Sequence, residues 1–366
     1  MRKLLFTFLV AVLSTVYASE PVNVLPSDSA KVYFISPDGS DSNQGTSAIS
    51  PFRTINRGMK KAQPGDTVLL LPGIYYQDFY TVRSGQLGRP IQVIGSNKAV
   101  LKGSGASYIA SIRHSYIEFS HFTINGHHGK GESLQDYRDK LIYIKGQKMR
   151  GITGIKIIAM HLENAFGECL RMKYLATNNE IAFNTISHCG KRDYLFGRGS
   201  HNGEGIYIGT APEQIADGKN PSYDVDKSNH NWIHHNIINT FGSECIDIKE
   251  GSSHNLIEQN ICSNEKDKNV GAISVRGNYN TIRNNILFLN TGAGLRFGGD
   301  TETDGIHNIA YGNYLDTNTN SSLKIMRLPQ ELICGNTVIK HKSGKSIRLP
   351  KNTKNHSDFL KSCCKE

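Results

Sequence analysis

The feature that most constrains this chain is a short motif that recurs five times in alignment without gaps. Its copies are Gly167-Glu168-Cys169-Leu170-Arg171-Met172-Lys173, Gly203-Glu204-Gly205-Ile206-Tyr207-Ile208-Gly209, Ser243-Glu244-Cys245-Ile246-Asp247-Ile248-Lys249, Gly271-Ala272-Ile273-Ser274-Val275-Arg276 and Gly292-Ala293-Gly294-Leu295-Arg296-Phe297-Gly298. Leu170, Ile206, Ile246, Ile273 and Leu295 share one apolar column, and Met172, Ile208, Ile248, Val275 and Phe297 share another. Alternation with period two makes each copy a short strand with one buried face. Stacked copies form a solenoid of parallel strands about 4.8 Å apart. Arg171, Tyr207, Asp247, Ser274 and Arg296 then form one outward column, and Lys173, Gly209, Lys249, Arg276 and Gly298 the next. The charged outer face assembled this way is the candidate site.

A second periodicity supports the first. Isoleucine, or alanine once, is followed three places later by asparagine at Asn184, Asn236, Asn260, Asn285 and Asn313, and Asn336 extends the series. After a first interval of 52 residues the spacing settles near one coil, so the first interval holds an insertion. Stacked asparagines at a turn can join amide to amide and amide to backbone, which is why this residue recurs there. The ladder is read as structural. His201, His230, His234 and His235 lie near turns and are read as surface or ladder residues.

Among 366 residues, 36 glycines and 11 prolines accompany many short apolar runs, which points to a turn-rich all-β body. Residues 1–18, with Arg2 and Lys3 before the apolar run Leu4 to Val16, read as a secretory signal peptide cut after Ala18. The run is too short to span a bilayer, and no later stretch is long enough either. The formal charge is +10; removing Arg2 and Lys3 leaves 40 basic against 32 acidic residues, or +8. For an exported protein that balance points to acidic glycans before nucleic acid. Cys169 and Cys245 share a column with Gly205 between them, about 9.6 Å apart and beyond disulfide reach. Cys189, Cys262 and Cys334 cannot be paired from sequence, and without a Cys-x-x-Cys pair the cysteines are not read as metal ligands.

In chain order, residues 19–90 form an N-terminal segment and cap, 91–340 the β-helix and 341–366 a basic tail. Val32 to Ser36 and Thr67 to Leu71 read as strands. Pro51 to Ala62 reads as a short helix with Phe52, Ile55 and Met59 on one face, placed to cover the open end of the stack. Insertions at 126–140, 190–200 and 211–228 enter or leave the charged face, where binding sites are usually built.

The opening Val32-Tyr33-Phe34-Ile35-Ser36-Pro37-Asp38-Gly39, with Pro51-Phe52-Arg53-Thr54-Ile55, Gln63-Pro64-Gly65-Asp66 and Leu71-Pro72-Gly73-Ile74-Tyr75, resembles the start of secreted proteins of the pectate-lyase-like superfamily. The resemblance covers most of residues 32 to 340 and implies a right-handed parallel β-helix. Glu244 to Lys249, followed one coil later by Ala272 to Gly277, is similar to the active rungs of the alginate lyase and chondroitinase B family. That likeness implies Lys249 as base, Arg276 as the arginine acid of the next coil and Glu244 as a calcium-binding glutamate. The chain departs from the pattern at Gly242, where a second glutamate is expected, and at Asp247, in a slot usually small and uncharged. Gly292 to Asp300 also resembles the catalytic rung of family 9 pectate lyases, with Arg296 where that family has lysine.

Eliminative cleavage of a uronate polymer needs a cation opposite the carboxylate, a base for the C5 proton and an acid for the leaving oxygen. Lys249 serves as base if Arg276, Lys173 and Arg296 lower its pKa, Arg276 stabilises charge, and Tyr207 is a second proton carrier. Arg171, Lys173, Tyr207 and Arg296 are the expected substrate-binding residues, and Glu204, Glu244 and Asp247 the expected Ca2+ ligands. Strict alternation places Glu168, Glu204 and Glu244 with the inward residues, so the chain must bend before each strand for them to reach the face. The expectation is therefore a secreted, monomeric polysaccharide lyase acting on an acidic polysaccharide, with no nucleic acid and no membrane span. A non-catalytic carbohydrate-binding protein, a C5 epimerase and a hydrolase using Glu204 with Asp247 remain open at this point.

Overall fold

The computed structural model describes residues 30–148, 150–199, 201–339, 345–350, 353 and 363. The expected signal peptide, residues 1–18, and most of the basic tail lie outside the described residues. No helix among the described residues is long and apolar enough to cross a membrane.

Three long sheets of eleven, ten and ten strands run the length of the molecule, and successive coils add one parallel strand to each. This is a right-handed parallel β-helix. The sheet carrying the recurrent motif runs from Phe79–Tyr80 to Lys345–Arg348. Its register pairs Leu170 with Ile206, Ile206 with Ile246, Ile246 with Ile273 and Ile273 with Leu295. Each of these side chains is fully buried, a gain of about 1.5–3 kcal/mol apiece against exposure.

The stack is longer than the five copies. Strand Lys140–Lys145 precedes them, pairing Tyr143 with Arg171, and Ser321–Ile325 follows, pairing Lys324 with Arg296. Coils also start before residue 91, since Val32–Ile35 pairs with Thr67–Leu70, which pairs with Ile91–Ile94. Beyond residue 340, Lys345–Arg348 adds one more strand. The cap helix is shorter than expected, Ile55–Lys61. Phe52 instead bridges to Ile35, its N–H donating to Phe34 O at 2.9 Å, which holds residues 51–54 extended until the Thr54 hydroxyl caps Arg57 N. Gly58 lets the helix lie directly on the first coil, because a Cβ there would come within 2.7 Å of Ile35 Cδ1.

Among the described residues a second long asparagine ladder accompanies the one expected from the sequence. The expected series runs through Asn184, Asn236, Asn260, Asn285, Asn313 and Asn336, each Nδ2 donating to the next Oδ1 at 2.8–3.0 Å. A parallel series, Asn179, Asn231, Asn255, Asn280 and Asn308, stands one turn earlier in each coil. His230, His254, Tyr279 and His307 stack outside it. Disulfides join Cys169 to Cys189 and Cys334 to Cys363, while Cys245 and Cys262 are buried thiols.

The insertions wall in the motif-bearing face. His127 and Tyr137 stack with centroids 4.8 Å apart, and Phe196 reaches both Tyr137 and Phe166, so residues 126–140 meet residues 190–199. In the third insertion, Gln214 Oε1 accepts from Arg171 at 2.6 Å and the Lys219 carbonyl accepts from Lys145 Nζ.

Candidate functional site

Because the strands stack in register, the outward column runs Tyr143, Arg171, Tyr207, Asp247, Ser274, Arg296 and Lys324. Next to it, backbone bonds from Gly209 N to Met172 O, Lys249 N to Ile208 O and Arg276 N to Ile248 O stack the second column as the alternation required. Tyr207, Asp247, Lys249 and Arg296 point away from the core and are nonetheless buried, Tyr207, Asp247 and Lys249 packed against one another and against Arg171 and Arg276.

Asp247 is the hub. Its Oδ2 lies 2.7 Å from Lys249 Nζ and its Oδ1 3.4 Å from Arg276 Nε. Arg276 also approaches Glu244 at 3.7 Å, Glu250 at 3.9 Å and Asp300 at 3.7 Å. The Tyr207 ring is sandwiched between cations, with the Arg171 guanidinium carbon 4.3 Å and Lys249 Nζ 4.7 Å from its centroid. Its hydroxyl has no hydrogen-bond partner among the described residues.

The glutamates preceding the strands do bend onto this face. Glu168 pairs with Lys140 at 3.0 Å and Arg171 at 2.8 Å. Glu204, Glu244 and Asp247 each bring an oxygen within 4.8 Å of the others. Among the described residues, Glu244 Oε1 and Asp247 Oδ1 make no hydrogen bond and are met only by Arg276, at lengths beyond one. Three hard oxygen donors, two of them from carboxylates with buried oxygens that lack a hydrogen bond, fit a calcium ion.

Charge states follow from this packing. Burial resists the charge of Asp247, but Lys249 and Arg276 outweigh it and hold the carboxyl below its ordinary value. Burial works against the Lys249 ammonium, yet Asp247 more than compensates and raises its pKa. The expected lowering of Lys249 by neighbouring cations is thus corrected: a carboxylate at 2.7 Å dominates cations farther off. Glu204 moves the other way, pushed up to about 8 by burial and then by Glu168 and Glu244. Glu244 is raised by burial and Asp247, and Glu250 is pushed up to about 7, chiefly by burial. Lys173 is lowered to about 8 by burial, Arg171 and Lys145.

All nine sequence-selected residues lie on this one face, and Glu204, Tyr207, Glu244, Asp247, Lys249 and Arg276 form its centre. Arg171 is held by Glu168 and Gln214, so its guanidinium is already committed within the fold. Sequence reasoning missed Lys140, Tyr143 and Lys324, whose rungs lack the leading glycine although Leu141 to Lys145 shows the same alternation. Tyr143 stacks on Tyr108 with centroids 4.7 Å apart, extending the groove with an aromatic surface.

A family model described as "Protein of unknown function (DUF1565)" matches residues 37–342. Uncharacterized protein YwoF of Bacillus subtilis (strain 168) is 35% identical over 94 residues, 25% of this chain and 20% of that protein. Pectate lyase L of Dickeya chrysanthemi is 36% identical over 75 residues, 18% of this chain and 17% of that protein. These matches span about a fifth of each curated relative's length. Among solved structures, alginate lyase from Paenibacillus sp. str. FPU-7 superposes with a TM-score of 0.65 at 19% identity, covering 81% of this chain and 96% of that one. Pectate lyase Pel9A gives 0.58 at 15% identity, covering 92% and 80%. At such identities the likeness is one of fold.

Proposed function

The chain belongs to the family described as Protein of unknown function (DUF1565), and we propose from its own groove that it is an exported lyase cleaving a uronate-containing polysaccharide by β-elimination with calcium assistance. The observation that carries this reading is convergence: an ammonium, a guanidinium and three carboxyl groups from three successive coils meet on one face. A binding protein needs cations along a surface; it does not need them interlocked with buried acids. The lyases that share the fold are named for alginate and pectate, which makes those polymers the first to test.

When the C5 proton leaves, negative charge spreads onto the uronate carboxylate. Arg276 and the Lys249 ammonium are fixed where they can neutralise it without reorganising. Calcium held by Glu204, Glu244 and Asp247 adds positive charge to the same place when bound. Tyr207, with its hydroxyl unpartnered in the groove, is the group to hydrogen-bond the leaving oxygen. Lys249, held as an ammonium, fits charge stabilisation better than the base role expected for it.

One observation favours a second reading. Glu204 is kept neutral and Asp247 ionised within 4.8 Å of each other, and opposite shifts in neighbouring carboxyls mark an acid–base pair of the kind hydrolases use. The deciding experiment incubates the purified protein with polygalacturonate, alginate, glucuronan and dermatan sulfate, with calcium or chelator, and follows the ultraviolet absorbance of an unsaturated uronate. A rise on one polymer that Lys249→Ala abolishes supports the lyase. New reducing ends without that absorbance favour hydrolysis, and retained polymer binding without either product leaves a carbohydrate-binding protein.

A further inference from the structure

Elimination needs an unprotonated base, and Lys249 is tied up as an ammonium by Asp247 at 2.7 Å. One other lysine on this face stands differently. Lys173 is 3% exposed, and its ammonium has no hydrogen bond or ion pair among the described residues. A buried lysine normally finds an acceptor.

The acids nearest Lys173 are already used. Asp226 accepts from Tyr174 N at 2.6 Å, Leu175 N at 3.0 Å, Thr210 Oγ1 at 2.6 Å and Ser228 Oγ at 2.8 Å. Asp217 accepts from Lys219 N at 2.8 Å and pairs with Lys219 Nζ at 3.3 Å. The other charged groups facing Lys173 are cations, Arg171 on its own strand and Lys145 on the preceding coil. Toward the acid centre the next residue in the column is Gly209, at φ 92°, which puts no side chain between Lys173 and Lys249.

We infer that Lys173 is the base that removes the C5 proton, an assignment that rests on the lyase reading above. The Lys173 amine takes the proton from C5, the C5–H electron pair forms the C4=C5 double bond, and the C4–O4 bond breaks. O4 leaves with that bond's electrons and takes a proton from water, and the Lys173 ammonium returns its proton to solvent. A permanent guanidinium is the better receptor for a carboxylate, whereas a lysine stripped of its counter-ion is the better base.

The test has two arms. In the first, full-length protein labelled with 15N-lysine is titrated by NMR, with Lys173→Met assigning the signal; a midpoint near 8 is expected. A midpoint near 10.4, the ordinary lysine value, overturns the assignment whatever the activity. In the second, kinetics are measured on the polymer that yields unsaturated product. Wild-type kcat/KM should rise with pH and level off above about 8, since the base must lose its proton to act. Lys173→Arg, which keeps the charge but not the base, should lower kcat about 10²- to 10⁴-fold with KM nearly unchanged. Near-normal kcat in Lys173→Arg overturns the proposal and makes Lys173 a carboxylate receptor. A midpoint near 8 with no unsaturated product from any polymer sinks the lyase reading, and the base role with it. Should Lys173→Met fail to fold, Lys173→Arg assigns the signal by its absence.

Discussion

Replacing Asp247 with asparagine keeps the shape of the hub, removes its charge and turns one acceptor oxygen into a donor. Arg276 would keep Glu244, Glu250 and Asp300 within 4 Å, but Lys249 would lose its one described ion pair. Unit charges at that 2.7 Å separation attract by about 6 kcal/mol at an effective dielectric of 20. Breaking a buried pair from one side costs about 3–5 kcal/mol, and Asp247→Asn should lose that much at pH 7. The measurement is equilibrium denaturation in chelator, followed by circular dichroism. The loss also depends on pH. The Asp247 pKa is lower folded than unfolded, so its contribution is complete above the unfolded value of about 3.9 and is lost as pH falls through the folded value. The gap between wild type and variant should be flat from pH 7 to about 5 and narrow toward pH 2. A gap under about 1 kcal/mol at pH 7 would refute the dependence of Lys249 on Asp247. A gap unchanged at pH 2 would show that Asp247 is not ionised in the native protein.

Other consequences can be checked on the same protein. Asn260 Oδ1 accepts from Asn236 N and Nδ2 while its Nδ2 donates to Ile233 O. Asn260→Ala therefore strands several buried groups and should cost about 2–6 kcal/mol by denaturant titration; a cost below 1 would mean the ladder adds little. Calcium at about 100 times its Kd should stabilise by about 2.7 kcal/mol in thermal unfolding, and Glu244→Gln should cancel the shift. Because Glu204 must lose its proton to bind a cation and that proton is held up to about pH 8, calcium affinity by calorimetry should tighten from pH 6 to 8. The Cys169–Cys189 disulfide closes a short loop beside the groove; Cys169→Ser should lose about 2–5 kcal/mol, while Cys262→Ser, at a buried thiol, serves as the unbridged control.

The solenoid was legible because in-register parallel stacking turns a one-dimensional period into a column. Once Ile206, Ile246 and Ile273 align in sequence, strand pairing has no other register that buries all three, and Tyr207, Asp247 and Ser274 must then stack outward. The second asparagine ladder obeys the same rule and escaped notice only because Asn179 and Asn231 follow no fixed apolar residue at three places. What sequence could not determine was the state of the charges. Lys173 and Lys249 occupy one column in the same motif slot, yet one is left without an acceptor and the other is clamped by Asp247. The difference comes from residues that repeat nowhere: the Asp226 loop that turns its carboxylate to backbone N–H groups, and the bend that brings Glu204 and Glu244 onto the face. Periodicity depends on neighbours one coil away and is written along the chain. A pKa depends on every charge and dipole within several ångströms and on how dry the space between them is, and only the packed tertiary structure decides that.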